Sequence, residues 1–237
     1  MEITWLGHAC FRLKGKEGTV VTDPFSKDIG LSLPRMQADI VTVSHEHLGH
    51  NHTTGIGGGA HIVTGPGEYE IKNIFVTGIA AFHDGEQGKS HGKVTIYLVE
   101  MEDMVVCHLG DLGHVPAQEQ IEAIGHVDIL LAPVGGGNSL SAAQAAEVVG
   151  LLEPRAVIAM HYHTSGLTTV LDPLTRFIKE MGARSDPQRN PVHPALRVEE
   201  AEPGQQYLDI TRAAPAAAAP EPPIAWTCRI KKGLGSH

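Results

Sequence analysis

Ser44-His45-Glu46-His47-Leu48-Gly49-His50-Asn51-His52 is the stretch on which the fold and the chemistry of this chain turn. It follows residues 39–44 (DIVTVS), a run rich in β-branched residues and apolar at its centre, which reads as a buried strand. Neutral imidazole is the commonest side-chain metal ligand near neutral pH. In a regular strand alternate residues share a face, so only His45 and His47 would point together. A loop leaving a rigid strand can turn all four histidines toward one place. A solvated histidine-rich loop is the plainer reading, and the downstream sequence argues against it. His83 (in AAFHDG), Asp111 (in CHLGDLGH) and His161 (in VIAMHYHT) each follow an apolar run of their own. One carboxylate with several imidazoles is a donor set for a divalent metal: zinc first, one ion or two, with iron or manganese as alternatives.

Working outward, residues 3–5, 10–13 and 19–22 read as short strands joined by glycine-containing turns. Residues 61–64, 74–79, 94–100 and 104–108 are further strands, and residues 128–133 and 156–160 two more. Helices enter later. Residues 116–124 predict a short one. Ser141 with Gln144 three residues on forms a capping-box pattern for a helix ending near Leu152. In a third helix Asp172 is the expected cap, Pro173 the first helical residue, and Gly182 the residue past the end. Its Leu174, Phe177, Ile178 and Met181 fall on one face. Strands early and alternating strands and helices later predict an α/β (α+β) protein with helices outside sheets. Residues 213–223 (AAPAAAAPEPP) read as an extended linker. The expected division is a domain of residues 1–212 and a linker and short tail of residues 213–237.

The motifs WLGHACF, VTDPF, TVSHEHLGH, FHD, HLGDLGH and AMHYHT, in that order over roughly residues 1–210, resemble the metallo-β-lactamase superfamily. Within it the chain is similar to the compact metal-dependent hydrolases that include the L-ascorbate-6-phosphate lactonases. The resemblance implies an αββα sandwich with a metal site at one edge between two sheets. By position it implies His45, His47 and His83 as ligands of a first metal, Asp111 as a bridge, and His50 and His161 as ligands of a second. It implies catalytic parts for Asp111 and His161, and a supporting part for Asp23, which would orient ligands by hydrogen bonds. One position departs from the family's His-x-His-x-Asp-His: Gly49 stands where the aspartate belongs. A weaker second site is therefore expected, with His52 or His163 as substitute donors and Gly49→Asp as the change that restores it. His8, His91, His108 and His114 are expected to lie close to the metals without being their ligands. Cys107 reads as a core cysteine rather than a nucleophile.

The function expected is hydrolysis of an ester, lactone, phosphodiester or amide by metal-activated water. The alternatives are a mononuclear-iron sulfur oxidoreductase of the same fold and a metal-binding protein whose catalysis degenerated at Gly49. The net charge of −9 disfavours nucleic acid as a partner. A small-molecule substrate is expected, with a second copy of the chain as the possible completion of its pocket. Three cysteines without regular spacing suit a reducing compartment. The first eleven residues carry no basic region and no long apolar run, so a cytoplasmic protein without a membrane span is expected.

Overall fold

Two seven-stranded β-sheets face each other across one core in the computed structural model, which describes residues 1–182 and three short strands beyond them. In the first sheet β1 (Glu2–Gly7), β2 (Cys10–Lys14) and β3 (Thr19–Thr22) run antiparallel. β4 (Met36–Gln37) lies outside it, and β5 (Ile40–Val43) joins β3 in parallel. β6 (Ile56–Gly57) pairs only with β4, and β7 (His61–Thr64) extends the sheet beside β5. The second sheet begins with the antiparallel β8 (Gly67–Ile71), β9 (Ile74–Phe82), β10 (Lys93–Met101) and β11 (Met104–His108). It continues in parallel with β12 (Ile129–Pro133) and β13 (Ala156–Met160). The short strands beyond residue 182 are β14 (Ala195–Leu196), on β13, and β15 (Asp209–Thr211) and β16 (Trp226–Arg229), which pair with each other.

Strand periodicity explains the continuous apolar runs. Side chains of a strand alternate between faces. Phe11, Leu13, Val20 and Ile40 enter the core between the sheets, whereas Cys10, Val21, Val41 and Val43 enter a second cluster behind the first sheet. A strand buried on both faces loses its polar alternation. That second cluster is closed by Phe25, Ile29 and Leu31 from the segment that carries the 3-10 turn Lys27–Ile29. The described α-helices serve the other sheet. α1 (Gln118–Ile124) touches β9, α2 (Ala142–Leu152) packs on β12, and α3 (Leu174–Glu180) packs on α2. Two hydrogen bonds from β10 tie the sheets together near the histidine loop: buried Tyr97 donates its hydroxyl to Val43 O at 3.0 Å, and Thr95 N donates to Ser44 O at 2.9 Å.

The strands fall where the sequence places them, within a few residues. β8 (GEYEI) was not anticipated. It is an edge strand whose polar, mostly exposed side chains carry no apolar signal. Two helix starts also differ. α1 begins two residues after Pro116, with Ala117 as its cap residue; the Ala117 N–H donates to Gln120 Oε1 at 3.0 Å. α3 begins at Leu174, so Pro173 is the cap residue rather than the first helical one. Asp172 does not cap it, because its carboxylate accepts from Arg176 Nη1 at 2.7 Å instead. The Ser141 capping box is present as expected, with Gln144 N donating to Ser141 Oγ at 3.3 Å, a contact worth about 1 kcal/mol. No described helix is long and apolar enough to cross a membrane.

Four residues beyond the expected boundary at residue 212 pair with β1, from Glu2 with Arg229 to Trp5 with Trp226. Truncation after Arg212 tests whether the domain needs them. Loss of a paired strand should lower Tm by several degrees. An unchanged Tm would leave residues 1–212 as the whole folding unit.

Candidate metal centre

The strand ends assemble the site. β5, β9, β11 and β13 deliver residues 45–50, His83, Asp111 and His161, all just past their last residue. In open sheets the carboxyl ends of strands are where ligands bind. Asp111 lies at the centre. Its Oδ2 is 3.2 Å from Nε2 of His50, 3.2 Å from Nε2 of His161, 3.4 Å from Nε2 of His83 and 3.9 Å from Nε2 of His45. Three ligand groups result: His45, His83 and Asp111; His45, His47 and His50; and His8, His50 and His161. All six expected ligands are thus brought together, although His47 joins His45 and His50 rather than His83. Nε2 of His45, His50 and His83 and Oδ1 of Asp111 are buried without a hydrogen-bond partner. Each such atom costs about 1–3 kcal/mol unless something satisfies it. A divalent cation fits that requirement, and three imidazoles with a carboxylate fit its chemistry.

Burial, above all, pushes the His45 pKa down to about 3, which keeps the ring neutral and able to ligate. Burial opposes charge on Asp111 as well, but His161 and His50 outweigh it and hold the carboxyl well below its usual range. For His50, burial favours the neutral ring, yet Asp111 and Asp23 draw its pKa up to about 10. Without a cation, a second proton at His50 Nε2, toward Asp111, thus balances the two carboxylates, and a bound cation would take its place while Nδ1 keeps its proton for Asp23.

Asp23 organises two of these rings. It is fully buried and accepts from Ser44 N at 2.7 Å, Ser44 Oγ at 2.6 Å and His50 Nδ1 at 2.8 Å. Ser44 Oγ, having donated its proton to Asp23, is left to accept from His45 Nδ1 at 3.0 Å. The network assigns the proton of each ring to Nδ1 and leaves Nε2 facing Asp111. Asp84, the residue after His83, accepts backbone N–H groups from His91, Gly88, Glu86 and Ser90, which fix the following loop and hold its carboxyl well down.

His8, which was not expected to be a ligand, lies against two of these rings. It is 2% exposed, and its ring centroid lies 4.3 Å from that of His161 and 4.9 Å from that of His50. With Ala9 it makes the two-residue turn between β1 and β2, where its φ is +51°. Glycine is the usual residue with positive φ in a hairpin turn. Both carbonyls of the turn are pinned. His8 O accepts from Trp5 Nε1 and His161 N, each at 3.0 Å, and Ala9 O accepts from His108 Nε2 at 2.8 Å. A Cβ on Gly49 would sit 2.8 Å from His8 Nε2 and 3.2 Å from its Cδ2. His52 and His163, the expected substitutes for the missing aspartate, join none of the ligand groups.

The other candidates have structural partners. His108 is wholly buried and donates to Ala9, while its Nδ1 accepts from Gly110 N at 3.1 Å. His114 accepts from Phe82 N and donates to Val115 O. Cys107 is a buried core thiol, and burial pushes its pKa up. His91 lines the cleft over the site, which also has Glu46, Asn138 and Val170 on its walls and a volume of roughly 360 Å³. The glycine loop after β12 reaches that cleft through Gly137. Its Gly135 is required by space, since a Cβ there would meet His161 O at 2.2 Å.

Comparison with known proteins shows the family and the fold. Residues 2–161 match the family described as the β-lactamase superfamily domain. A UPF0173 protein of Pyrococcus abyssi is 31% identical over 191 residues, 70% of this chain and 85% of that one. A UPF0173 metal-dependent hydrolase of Pyrococcus horikoshii is 29% identical over 193 residues, 69% of this chain and 85% of its own length. A solved protein of Thermotoga maritima, assigned to the metallo-β-lactamase superfamily with Zn-dependent hydrolysis as its proposed activity, is 40% identical. It superposes with a TM-score of 0.64 over 75% of this chain and 84% of that one.

Proposed function

The chain belongs to the β-lactamase superfamily, and on that premise we propose that it is a metal-dependent hydrolase of small molecules, with zinc as its metal. The observation that carries this reading is the convergence of buried, unpartnered Nε2 atoms of His45, His50 and His83 on Asp111. His45, His83 and Asp111 would hold one ion, and Asp111, His50 and His161 would hold a second, with His47 beside His45 and His50. When bound, the metal supplies Lewis acidity, which brings the pKa of a coordinated water toward roughly 7 and polarises the bond under attack. The protein's own groups do the rest. Asp111 would hold and orient the attacking water beside both positions as an ionised carboxylate, and His161, steadied by Ser139 Oγ at 3.3 Å, faces that carboxylate. Asp23 keeps both His45 and His50 in the ligating tautomer. Gly137 and Asn138 border the space where a substrate carbonyl or phosphoryl group would lie.

The cleft accommodates a small ester, lactone, phosphodiester or amide, and the acidic chain disfavours nucleic acid. Buried free Cys10 and Cys107 suit the cytoplasm. A second reading has one observation in its favour. His45, His83 and Asp111 form a two-histidine, one-carboxylate set, the arrangement of mononuclear non-haem iron sites. Elemental analysis with an oxygen electrode separates the two. We expect purified protein to carry zinc, to hydrolyse members of a panel of esters, lactones and phosphodiesters, to lose that activity to a chelator and to regain it with zinc. Iron as the resident metal together with oxygen uptake would overturn the hydrolase reading.

A further inference from the structure

Granted the metal centre proposed above, we propose that His8 is a ligand of the second metal position and takes the place of the aspartate that Gly49 replaces. Three observations converge on it. His8 forms a ligand group with His50 and His161, the two residues on the second-metal side of Asp111. Its Nδ1 is buried without a hydrogen-bond partner, although the ring is 2% exposed. Its backbone holds a positive φ in a pinned turn, a conformation that costs a non-glycine residue about 1–3 kcal/mol and that is retained chiefly at functional sites.

Gly49 makes sense in the same terms. Its φ is not in the left-handed region, so the backbone does not demand glycine there. What demands glycine is the His8 ring, whose Nε2 would meet a Cβ at 2.8 Å. That ring cannot swing aside freely, since it is packed between the rings of His50 and His161. The two positions are therefore an exchange: a carboxylate on the histidine loop is traded for an imidazole on the β1–β2 turn. The second position becomes three imidazoles and one carboxylate and stays complete. The expectation that Gly49→Asp alone restores a deficient site fails on this geometry, because the new side chain enters space that His8 already fills.

The test uses zinc and the metal-free full chain, followed by calorimetry, elemental analysis and thermal melts. The variants are His8→Gly, Gly49→Asp and the two together. His8→Gly suits the positive φ of the turn, so the fold should survive; His8→Asn, which also tolerates that φ, is the alternative should it not. Wild type should take up two zinc ions per chain. His8→Gly should weaken the second by tenfold or more and leave the first unchanged. Gly49→Asp alone should not tighten the second site, and the double variant should recover it. Two wild-type affinities in His8→Gly, or tighter second-site binding in Gly49→Asp alone, would overturn the ligand role and leave the hydrolase reading standing. A wild type that binds no zinc at all would overturn the metal centre itself and the role of His8 with it.

Discussion

Asp111→Asn should abolish hydrolysis and strip the metal while leaving the fold intact. Asparagine has the same shape, so the packing around this 4%-exposed residue is kept. What is lost is the one negative charge that four imidazole Nε2 atoms face at 3.2 to 3.9 Å. A neutral amide would hold divalent cations far more weakly than the carboxylate does. Losing about 4 kcal/mol of metal-derived stabilisation corresponds to a drop of about a thousandfold in kcat/KM. Zinc content and rate should fall together in elemental analysis and steady-state kinetics, with the far-ultraviolet spectrum unchanged. A variant with full zinc and near-native rate would remove Asp111 from the centre of the site.

The fold was legible because the chain's strands are buried in a way that composition reveals. β3, β5, β12 and β13 are apolar on both faces and sit between layers, so their runs stand out. β8 escaped notice because an exposed edge strand needs no apolar face, and GEYEI has none. The helix starts were legible where a side chain does the capping, as at Ser141. They were misplaced at Pro116, two residues ahead of the helix, and at Asp172, which resembles a cap but accepts from Arg176 instead. Cap propensities describe what a residue is able to do, and tertiary partners such as Arg176 decide what it does.

The candidate site was legible wherever a donor side chain follows a strand within a motif: His45, His47, His50, His83, Asp111 and His161 come together in space. The place of His8 beside His50 and His161 was harder to read, since it lies far from the other donors in sequence and reaches them through the packing of the β1–β2 turn against His161. A signal was nonetheless present. A glycine in place of a charged ligand calls for another donor, and WLGHACF places a histidine between two strand-like segments, where a turn would carry glycine. The family's motif directed attention to nearby His52, whereas the space beside Gly49 belongs to a ring from another strand pair.

Asp23→Ala is expected to be strongly destabilising. It leaves three buried donors, Ser44 N–H, Ser44 O–H and His50 Nδ1–H, without their acceptor. Removing one member of a buried charge-bearing network costs about 3–5 kcal/mol, which in a domain of this size lowers Tm by roughly 10 °C. The same change frees His45 and His50 to rotate or to change tautomer, so zinc affinity should fall by about 10–100-fold, the usual cost of losing a group that orients a ligand. Asp23→Asn separates the two effects. Asparagine tolerates the φ of +40° at this position and keeps the volume. It offers one acceptor oxygen to donors that need two, and its NH2 turns toward groups that already donate. Its Tm should lie between those of Asp23→Ala and wild type, while zinc affinity stays depressed. Calorimetric titration of zinc into both metal-free variants, alongside thermal melts, reads the two quantities independently. Native zinc affinity in Asp23→Asn would mean that packing alone orients His45 and His50, and that the carboxylate serves only stability.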